Sequence, residues 1–406
     1  MLKLTFISFK ILFYSEGMFK NMAIIGDINR KTNNFSVIIC GSADANEYNP
    51  HNAFQPQVRK GIIVGLHIGY SIDYIAKSLN VSNEELLDHL EFLRDAEFIM
   101  EKNGRIVPAF FVALKEDVLR VKKASMDLGE KLAKLYEARW ETVLKTYYKL
   151  SVSSRFGFDR VGFVLIGAYS LDMIDKFAEE GKIMPKAPRR KAGSFYMWGV
   201  ENGMEALGRY GMHSGQLGEY GFATFGGEKD RRRTSPPDHR SKILMEEMGE
   251  NNAIAAYDKF IKLQSSERET LKKRIDEKTL NALMEYEKKY QDSNYKISRE
   301  SEKILKEWLY LDVNLTPSAP IYTQKDMDVI KNFVDEMSIH IFDTLSKNLN
   351  KIQHAFKKCK ASEYADFAEF FCWFYHLTFT ETMDNLIGEQ KLSPPRHGYE
   401  FWIWKK

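Results

Sequence analysis

The stretch from Gln57 to Val112 constrains the fold more than any other part of the chain. Apolar residues recur at helical spacing in three successive segments, which predicts three short helices. Ser71 and Ser82 stand where the second and third helices would begin, and a serine there can accept a hydrogen bond from a free backbone N–H. Asn103-Gly104 favours a two-residue turn between strands, because both residues tolerate a positive φ. The stretch therefore predicts three helices followed by a β-hairpin.

This arrangement resembles the winged helix-turn-helix domain of bacterial and archaeal regulators of the ArsR and MarR types. The resemblance rests on Ile72–Leu79, Val81-Ser82 and Leu90–Ala96, and it covers about residues 57–112. In that family the helix after the turn enters the major groove of DNA, and the hairpin wing lies along the phosphate backbone. The resemblance thus implies a winged helix and DNA as its partner.

The presumed reading helix has an unusual charge for a DNA-binding helix. Between Ser82 and Asp95 there are five acidic residues against Arg94 and the titratable His89. Affinity for DNA comes largely from cations that neutralise phosphates, and exposed carboxylates oppose it. The predicted DNA contacts are therefore one amide and the cations around the helix, namely Arg59, Lys60, Asn83, Lys102, Arg105, Arg120, Lys122 and Lys123. The alternative is that the acidic helix binds a protein.

Composition sets broad limits on location and partners. The chain of 406 residues can hold two or three domains, and its net charge of +3 is too small to imply polyanion binding by itself. Three widely separated cysteines argue against a disulfide framework and favour a cytoplasmic protein. Leu2–Tyr14 is apolar, but Lys10 interrupts it and no small-residue cleavage site follows, so we do not expect a signal peptide. No later segment reaches spanning length without charges, so no membrane is expected as a partner.

The rest of the chain predicts a mainly α protein with α+β parts. We divide it into an N-terminal strand and loop extension (1–56), a winged helix-turn-helix (57–114), a long linker or dimerisation helix (115–154), an α+β sensor domain with a small antiparallel sheet (155–245), a charged helical segment (246–312) and a C-terminal helical domain (313–406). The apolar stripe of the long helix would permit a homodimer, which we expect. Packing of that helix on its own domain is the alternative.

Aromatic and polar residues between positions 196 and 220 predict a pocket for a small-molecule effector. The candidate ligand-binding residues are Tyr196, Trp198, Glu201, Arg209, His213 and Tyr220. Packed aromatic strands are the alternative explanation, and the glycines of this region fit turns better than a phosphate loop. The basic runs Lys186–Lys191 and Lys229–Arg233 suit either phosphate binding or a solvated surface.

No pattern predicts catalytic residues, a metal or a cofactor. Cys372 and His376 lie one helical turn apart, but two ligands do not make a metal site. The chain contains no P-loop, nucleophile elbow or H-E-x-x-H, and an enzyme at the 196–220 region lacks an acid–base pair. We therefore expect a winged-helix transcriptional regulator with a C-terminal ligand-sensing or dimerisation region. The alternative is a protein-interaction or scaffold protein that uses the winged helix to bind protein.

Overall fold

The computed structural model describes residues 28–44, 46–172, 176–177, 183–201, 210–227, 236–251, 253–395 and 397–405. Helices predominate in these ranges, and antiparallel and mixed sheets accompany them. The predicted class, mainly α with α+β parts, is confirmed. The predicted division into six segments stays a prediction.

The secondary structure is numbered here in chain order. The strands are β1 Phe35–Ala43, β2 Ile99–Lys102, β3 Arg105–Pro108, β4 Phe111–Ala113, β5 Arg189–Arg190, β6 Gly193–Glu201, β7 Tyr210–Leu217, β8 Tyr220–Gly227, β9 Ile321–Tyr322 and β10 Tyr399–Lys405. The α-helices are α1 Pro50–Ala53, α2 Gln57–Ile68, α3 Ile72–Leu79, α4 Asn83–Asp95, α5 Lys115–Ala138, α6 Trp140–Lys149, α7 Phe158–Phe163, α8 Pro236–Met248, α9 Ala253–Lys262, α10 Ser265–Gln291, α11 Arg299–Glu307, α12 Gln324–Lys357 and α13 Phe367–Gly388. Ser151–Ser154 and Lys360–Glu363 are 3-10 turns, and Val164–Leu171 is π-helical.

The described residues fall into two compact units. The first comprises those within Met1–Ser125, Asp175–Leu207 and Leu349–Tyr375. The second comprises those within Met126–Ile174, Gly208–Asn348 and His376–Lys406. Each unit has its own sheet.

Helices α2, α3 and α4 and the β2–β3 hairpin form a helix–hairpin module at residues 57–108 of the first unit. The predicted caps are present, because Ser71 Oγ accepts a hydrogen bond from Tyr74 N and Ser82 Oγ accepts one from Glu85 N. Asn103 and Gly104 both have positive φ, as a two-residue hairpin turn requires. Leu86, Leu90 and Leu93 of α4 are buried, so burial of one helix face holds the module together.

The sheet of the first unit is built from strands that are far apart in sequence. Strand β6 lies between β1, to which it is antiparallel, and β4, to which it is parallel, and β5 also pairs with β6. Phe195 and Met197 of β6 and Phe35 of β1 belong to the same apolar core as the helices of the module. The helices of the module therefore pack against the sheet that contains β1 and β6.

The second unit contains a four-stranded sheet in the order β7-β8-β10-β9. Residues of β8 and β10 share an apolar core with α10 and α11. Gly221 of β8 lies against the indole of Trp404, which leaves no room for a β-carbon at that position. The absence of a side chain there makes room for the Trp404 indole beside β8.

Two sequence expectations differ from the observed elements. The apolar stripe after residue 115 predicts one long helix, but the helix ends at Ala138 and α6 begins at Trp140. Arg139 between them has φ −115° and ψ 17°, outside helical geometry, where the apolar stripe changes direction. The strands of the small antiparallel sheet predicted within 155–245 do not form one sheet, because β6 belongs to the first unit and β7 and β8 to the second. The basic run at 229–233 and the apolar segment at 2–14 lie outside the described residues.

Candidate functional site

The solvent-facing side of α4 is acidic. Its exposed residues include five carboxylates and one leucine, which together we call the acidic α4 face: Glu84, Glu85, Leu87, Asp88, Glu91 and Asp95. Positions 84, 87, 88, 91 and 95 are three or four residues apart and therefore lie along one side of the helix. Leu87 is 59% exposed, so an apolar side chain stands among these charges.

Two residues at the edge of this face are already engaged within the module. The Arg59 guanidinium lies 3.5 Å from the centre of the Phe92 ring and donates a hydrogen bond of 2.9 Å to the Ala53 carbonyl. Arg59 Nε also lies 3.4 Å from His89 Nδ1. Burial and the Arg59 charge lower the pKa of His89, against the opposing effect of Glu85 and Asp88. Arg59 therefore joins α2 to α4, and His89 adds no positive charge to the face at neutral pH.

The other predicted DNA-binding residues are divided between internal contacts and solvent. Arg120 donates from Nη1 to Asp117 at 2.7 Å and to the Lys358 carbonyl at 2.8 Å. Lys102 donates to the Tyr364 carbonyl at 3.3 Å. Lys60 and Lys122 are half-buried, and burial lowers the pKa of Lys60. Asn83, Arg105 and Lys123 are exposed, and Arg105 stands next to the hairpin turn.

Lys360 and Tyr364 contact the module on the side away from the acidic α4 face. Lys360 Nζ donates a hydrogen bond of 2.6 Å to the Ile68 carbonyl near the end of α2. Tyr364 Oη lies 2.7 Å from His67 Nδ1, and both residues are buried. Burial, with a smaller effect of Lys360, lowers the pKa of His67 to about 3, so this ring is neutral. We call Lys360, Tyr364, His67 and Lys102 the inner contacts of the module.

A buried ion pair lies in the same unit. Arg190 Nη2 lies 2.5 Å from Glu369 Oε1, and the two side chains are 6% and 4% exposed. Arg190 also donates to the carbonyls of Phe195 (2.8 Å) and Ala109 (3.1 Å), and Glu369 Oε2 accepts from Phe111 N at 3.1 Å. Burial raises the pKa of Glu369 to about 7, and the Arg190 charge and the backbone donors act in the opposite direction. The pair connects β5, the residues after the hairpin and α13.

The predicted ligand-binding residues do not meet in one sheet. Tyr196, Trp198 and Glu201 lie on β6 of the first unit, whereas His213 and Tyr220 lie on β7 and β8 of the second. Arg209 lies outside the described residues. A ligand site made by these six residues stays a prediction.

Several of these side chains already have internal partners. Glu201 accepts a hydrogen bond of 2.9 Å from Lys115 N, where its charge suits the start of α5. Tyr196 Oη donates to the Pro185 carbonyl at 2.8 Å, and Tyr220 Oη donates to Glu287. Trp198 is 1% exposed. The positions of these residues thus suit the alternative of packed aromatic strands.

The sequence patterns did not identify Glu369 or its pairing with Arg190. Arg190 belongs to the basic run 186–191, in which a solvated surface was one explanation. Glu369 is a lone carboxylate in the apolar segment Phe367–Phe371. A charge in such a segment is a usable signal, because a buried carboxylate needs a partner.

No protein family model, curated protein or solved structure matches the chain. Within the described ranges, no three His, Cys, Asp or Glu residues are grouped as a metal ion would require. No helix of the described chain is both long enough and apolar enough to cross a bilayer.

Proposed function

We propose that residues 57–112 are a winged helix-turn-helix domain that binds a basic protein surface through the acidic α4 face. The chain would then act as an interaction or scaffold protein. The observation that carries this proposal is the exposure of all five carboxylates of α4 on the helix that would otherwise read DNA. These charges would repel phosphates, whereas they complement lysine and arginine on a protein.

The exposed leucine adds to the argument. Leu87 stands in the same row as Glu84, Asp88 and Glu91. Protein interfaces commonly combine an apolar centre with a charged rim. A phosphate backbone offers no comparable partner for a leucine side chain, so this arrangement favours a protein.

The second candidate is a DNA-binding transcriptional regulator with a C-terminal sensing or dimerisation region. It is supported by Arg105 beside the hairpin turn and by Lys123 on α5, which are both exposed cations. Arg59 and Arg120 support it less, because they are bonded within the protein. In this candidate the hairpin, rather than α4, supplies most of the phosphate contacts.

A site-specific cross-linking experiment tests the proposal. A photoreactive residue replaces Leu87 in the full chain, and a second variant carries it at the exposed Tyr148 of α6 as a control. We expect a protein that cross-links from position 87 and not from position 148. The purified partner should then bind wild type and lose at least about tenfold affinity for Glu84→Gln/Asp88→Asn/Glu91→Gln.

DNA-binding measurements distinguish the second candidate from the proposed function. The wild-type chain is mixed with genomic DNA fragments at low salt, beside the hairpin variant Arg105→Ala and the α4 variant. A specific shift that the hairpin variant loses and the α4 variant keeps would replace the proposal with the DNA-binding candidate. Partner affinity that is unchanged in the α4 variant would also overturn the proposal.

A further inference from the structure

A cavity of about 440 Å³ opens beside the hairpin in the first unit. Its walls come from the end of α4, strand β2, strand β5 and the start of α13. The charged residues that line it are Glu97, Lys102, Arg189, Arg190, Asp366 and Glu369. The acidic α4 face does not contribute to it, so the cavity is separate from the proposed partner surface.

Of the six charged side chains, Arg190 and Glu369 form a pair, Glu97 and Lys102 are bonded to backbone groups, and Arg189 and Asp366 form neither kind of contact within the described chain. Arg190 and Glu369 are buried and bonded to each other, and Arg190 also donates to two carbonyls. Arg189 and Asp366 are exposed, and within the described chain neither side chain makes an ion pair. The Arg190–Glu369 pair therefore fixes the wall of the cavity, whereas Arg189 and Asp366 are available to a bound molecule.

Glu97 is held in the cavity wall by its backbone and by its side chain. Glu97 follows α4 with φ +61°, a conformation that favours glycine after a helix. Its side chain Oε2 accepts a hydrogen bond of 2.8 Å from Lys191 N, which holds the carboxylate near the cavity. Phe98 N donates to the Leu93 carbonyl at 2.8 Å, a pattern that commonly ends a helix, so the end of α4 fixes the position of Glu97 in the cavity wall.

The cavity is lined by both acidic and basic side chains, which indicates the class of ligand that it can bind. A polyanion would meet the like charges of Glu97 and Asp366, and a polycation would meet those of Lys102 and Arg189, so repulsion would oppose the binding of either. A molecule with one carboxylate and one ammonium group can pair with both signs. The volume also suits a molecule of that size, because small-molecule sites begin at about 300 Å³.

We propose that this cavity binds a small zwitterion of the α-amino acid class. The ligand carboxylate pairs with Arg189, and its ammonium group pairs with Asp366 and Glu97. Lys102 is held by the Tyr364 carbonyl and keeps β2 in place as one wall. The Arg190–Glu369 pair preorganises the opposite wall, which lowers the cost of ordering the site on binding.

Calorimetric titration of the full chain tests the inference directly. The probes are the standard amino acids, each titrated alone, and the N-acetyl and carboxamide derivatives of any that bind. We expect at least one amino acid to bind, and both derivatives to bind at least about tenfold more weakly, because each lacks one charge. No binding by any amino acid up to about 10 mM would overturn the inference.

Matched variants locate the binding. Arg189→Ala and Asp366→Asn should each weaken binding at least about tenfold. Lys186→Ala and Glu363→Gln change exposed charges in the same segments but do not line the cavity, and they should bind as wild type does. Equal effects in the two sets, or none in either, would refute the assignment. Because these titrations need no protein partner, their failure would leave the proposed function untouched.

Discussion

The helix–hairpin module has two sides on which charge is used differently. On the acidic α4 face the carboxylates are exposed, and Leu87 is exposed with them. At the inner contacts, Lys360 and Lys102 donate to backbone carbonyls and Tyr364 is bonded to His67. The inner charges therefore stabilise the fold, whereas those of α4 are available for recognition. Substitutions should affect folding on one side and binding on the other.

The largest effect is expected where a buried charge loses its partner. Arg190→Leu leaves the carboxylate of Glu369 buried without its cation, and it removes the guanidinium donors from the carbonyls of Phe195 and Ala109. We expect the free energy of unfolding to fall by about 3–5 kcal/mol, measured by urea denaturation. Arg189→Leu is the control, because Arg189 is exposed, and it should change stability by less than about 0.5 kcal/mol. Similar losses in both variants would contradict the structural role of the pair.

The carboxyl of Glu369 should also produce a pH dependence of stability. Burial raises its pKa from 4.5 to about 7, with Arg190 and the backbone N–H groups of Phe111 and Met197 opposing this shift. Between these pH values the folded chain binds more protons than the unfolded chain, so this group's contribution to stability is lost as pH rises. The free energy of unfolding of wild type relative to Glu369→Gln should fall as the pH rises from about 4.5 to about 7, measured by urea denaturation at each pH. A difference that is constant across this range would refute the prediction.

A smaller effect is expected from a single hydroxyl at the inner contacts. Tyr364→Phe removes the 2.7 Å contact with His67 and leaves the ring nitrogen buried without this partner. We expect the free energy of unfolding to fall by about 1 kcal/mol, measured by urea denaturation. Tyr74→Phe is the matched control, since the Tyr74 hydroxyl is buried and bonded to nothing in the described chain. A loss in the control as large as that in Tyr364→Phe would show that the His67 contact is not the cause.

The local structure of the module is what the sequence could predict. Ser71, Ser82 and the Asn103-Gly104 turn act on neighbouring backbone, so their residue types are enough to indicate the helix starts and the hairpin. The sheet of the first unit could not be predicted in this way. Strand β6 pairs with β1 and β4, and nothing in a local pattern says which distant strand it will join.

The same reason applies to the sites. Glu369 and Arg190 are 179 residues apart, so the basic run around Arg190 gave no sign of its partner. The charges of α4 were visible in the sequence, but whether they were exposed or bonded depended on packing. The same holds for cations outside α4: Arg59 and Arg120 were predicted to contact DNA, but both are bonded within the protein. The sequence thus shows where the charged residues are along the chain. Only the tertiary contacts show which of them are bonded within the protein and which are exposed to a partner.

The smallest effect is expected at the acidic α4 face itself. Substitutions there should change the free energy of unfolding and the affinity for a partner independently of each other. Glu91 and Asp95 lie in the C-terminal half of α4, where negative charge opposes the helix dipole, whereas Glu84 and Glu85 lie in its first turn, where it is favourable. Glu91→Gln/Asp95→Asn should therefore raise the free energy of unfolding by about 0.5 kcal/mol, and Glu84→Gln/Glu85→Gln should lower it by about as much, in low-salt urea denaturation.

Both α4 pairs should nevertheless weaken binding to a basic partner, because both remove carboxylates from the same face. Changes of opposite sign in stability and of equal sign in affinity cannot arise from a general weakening of the fold. If the two pairs changed affinity in opposite directions, in step with stability, the carboxylates would be acting through the helix rather than through contact. The acidic α4 face would then not be the surface that binds the partner.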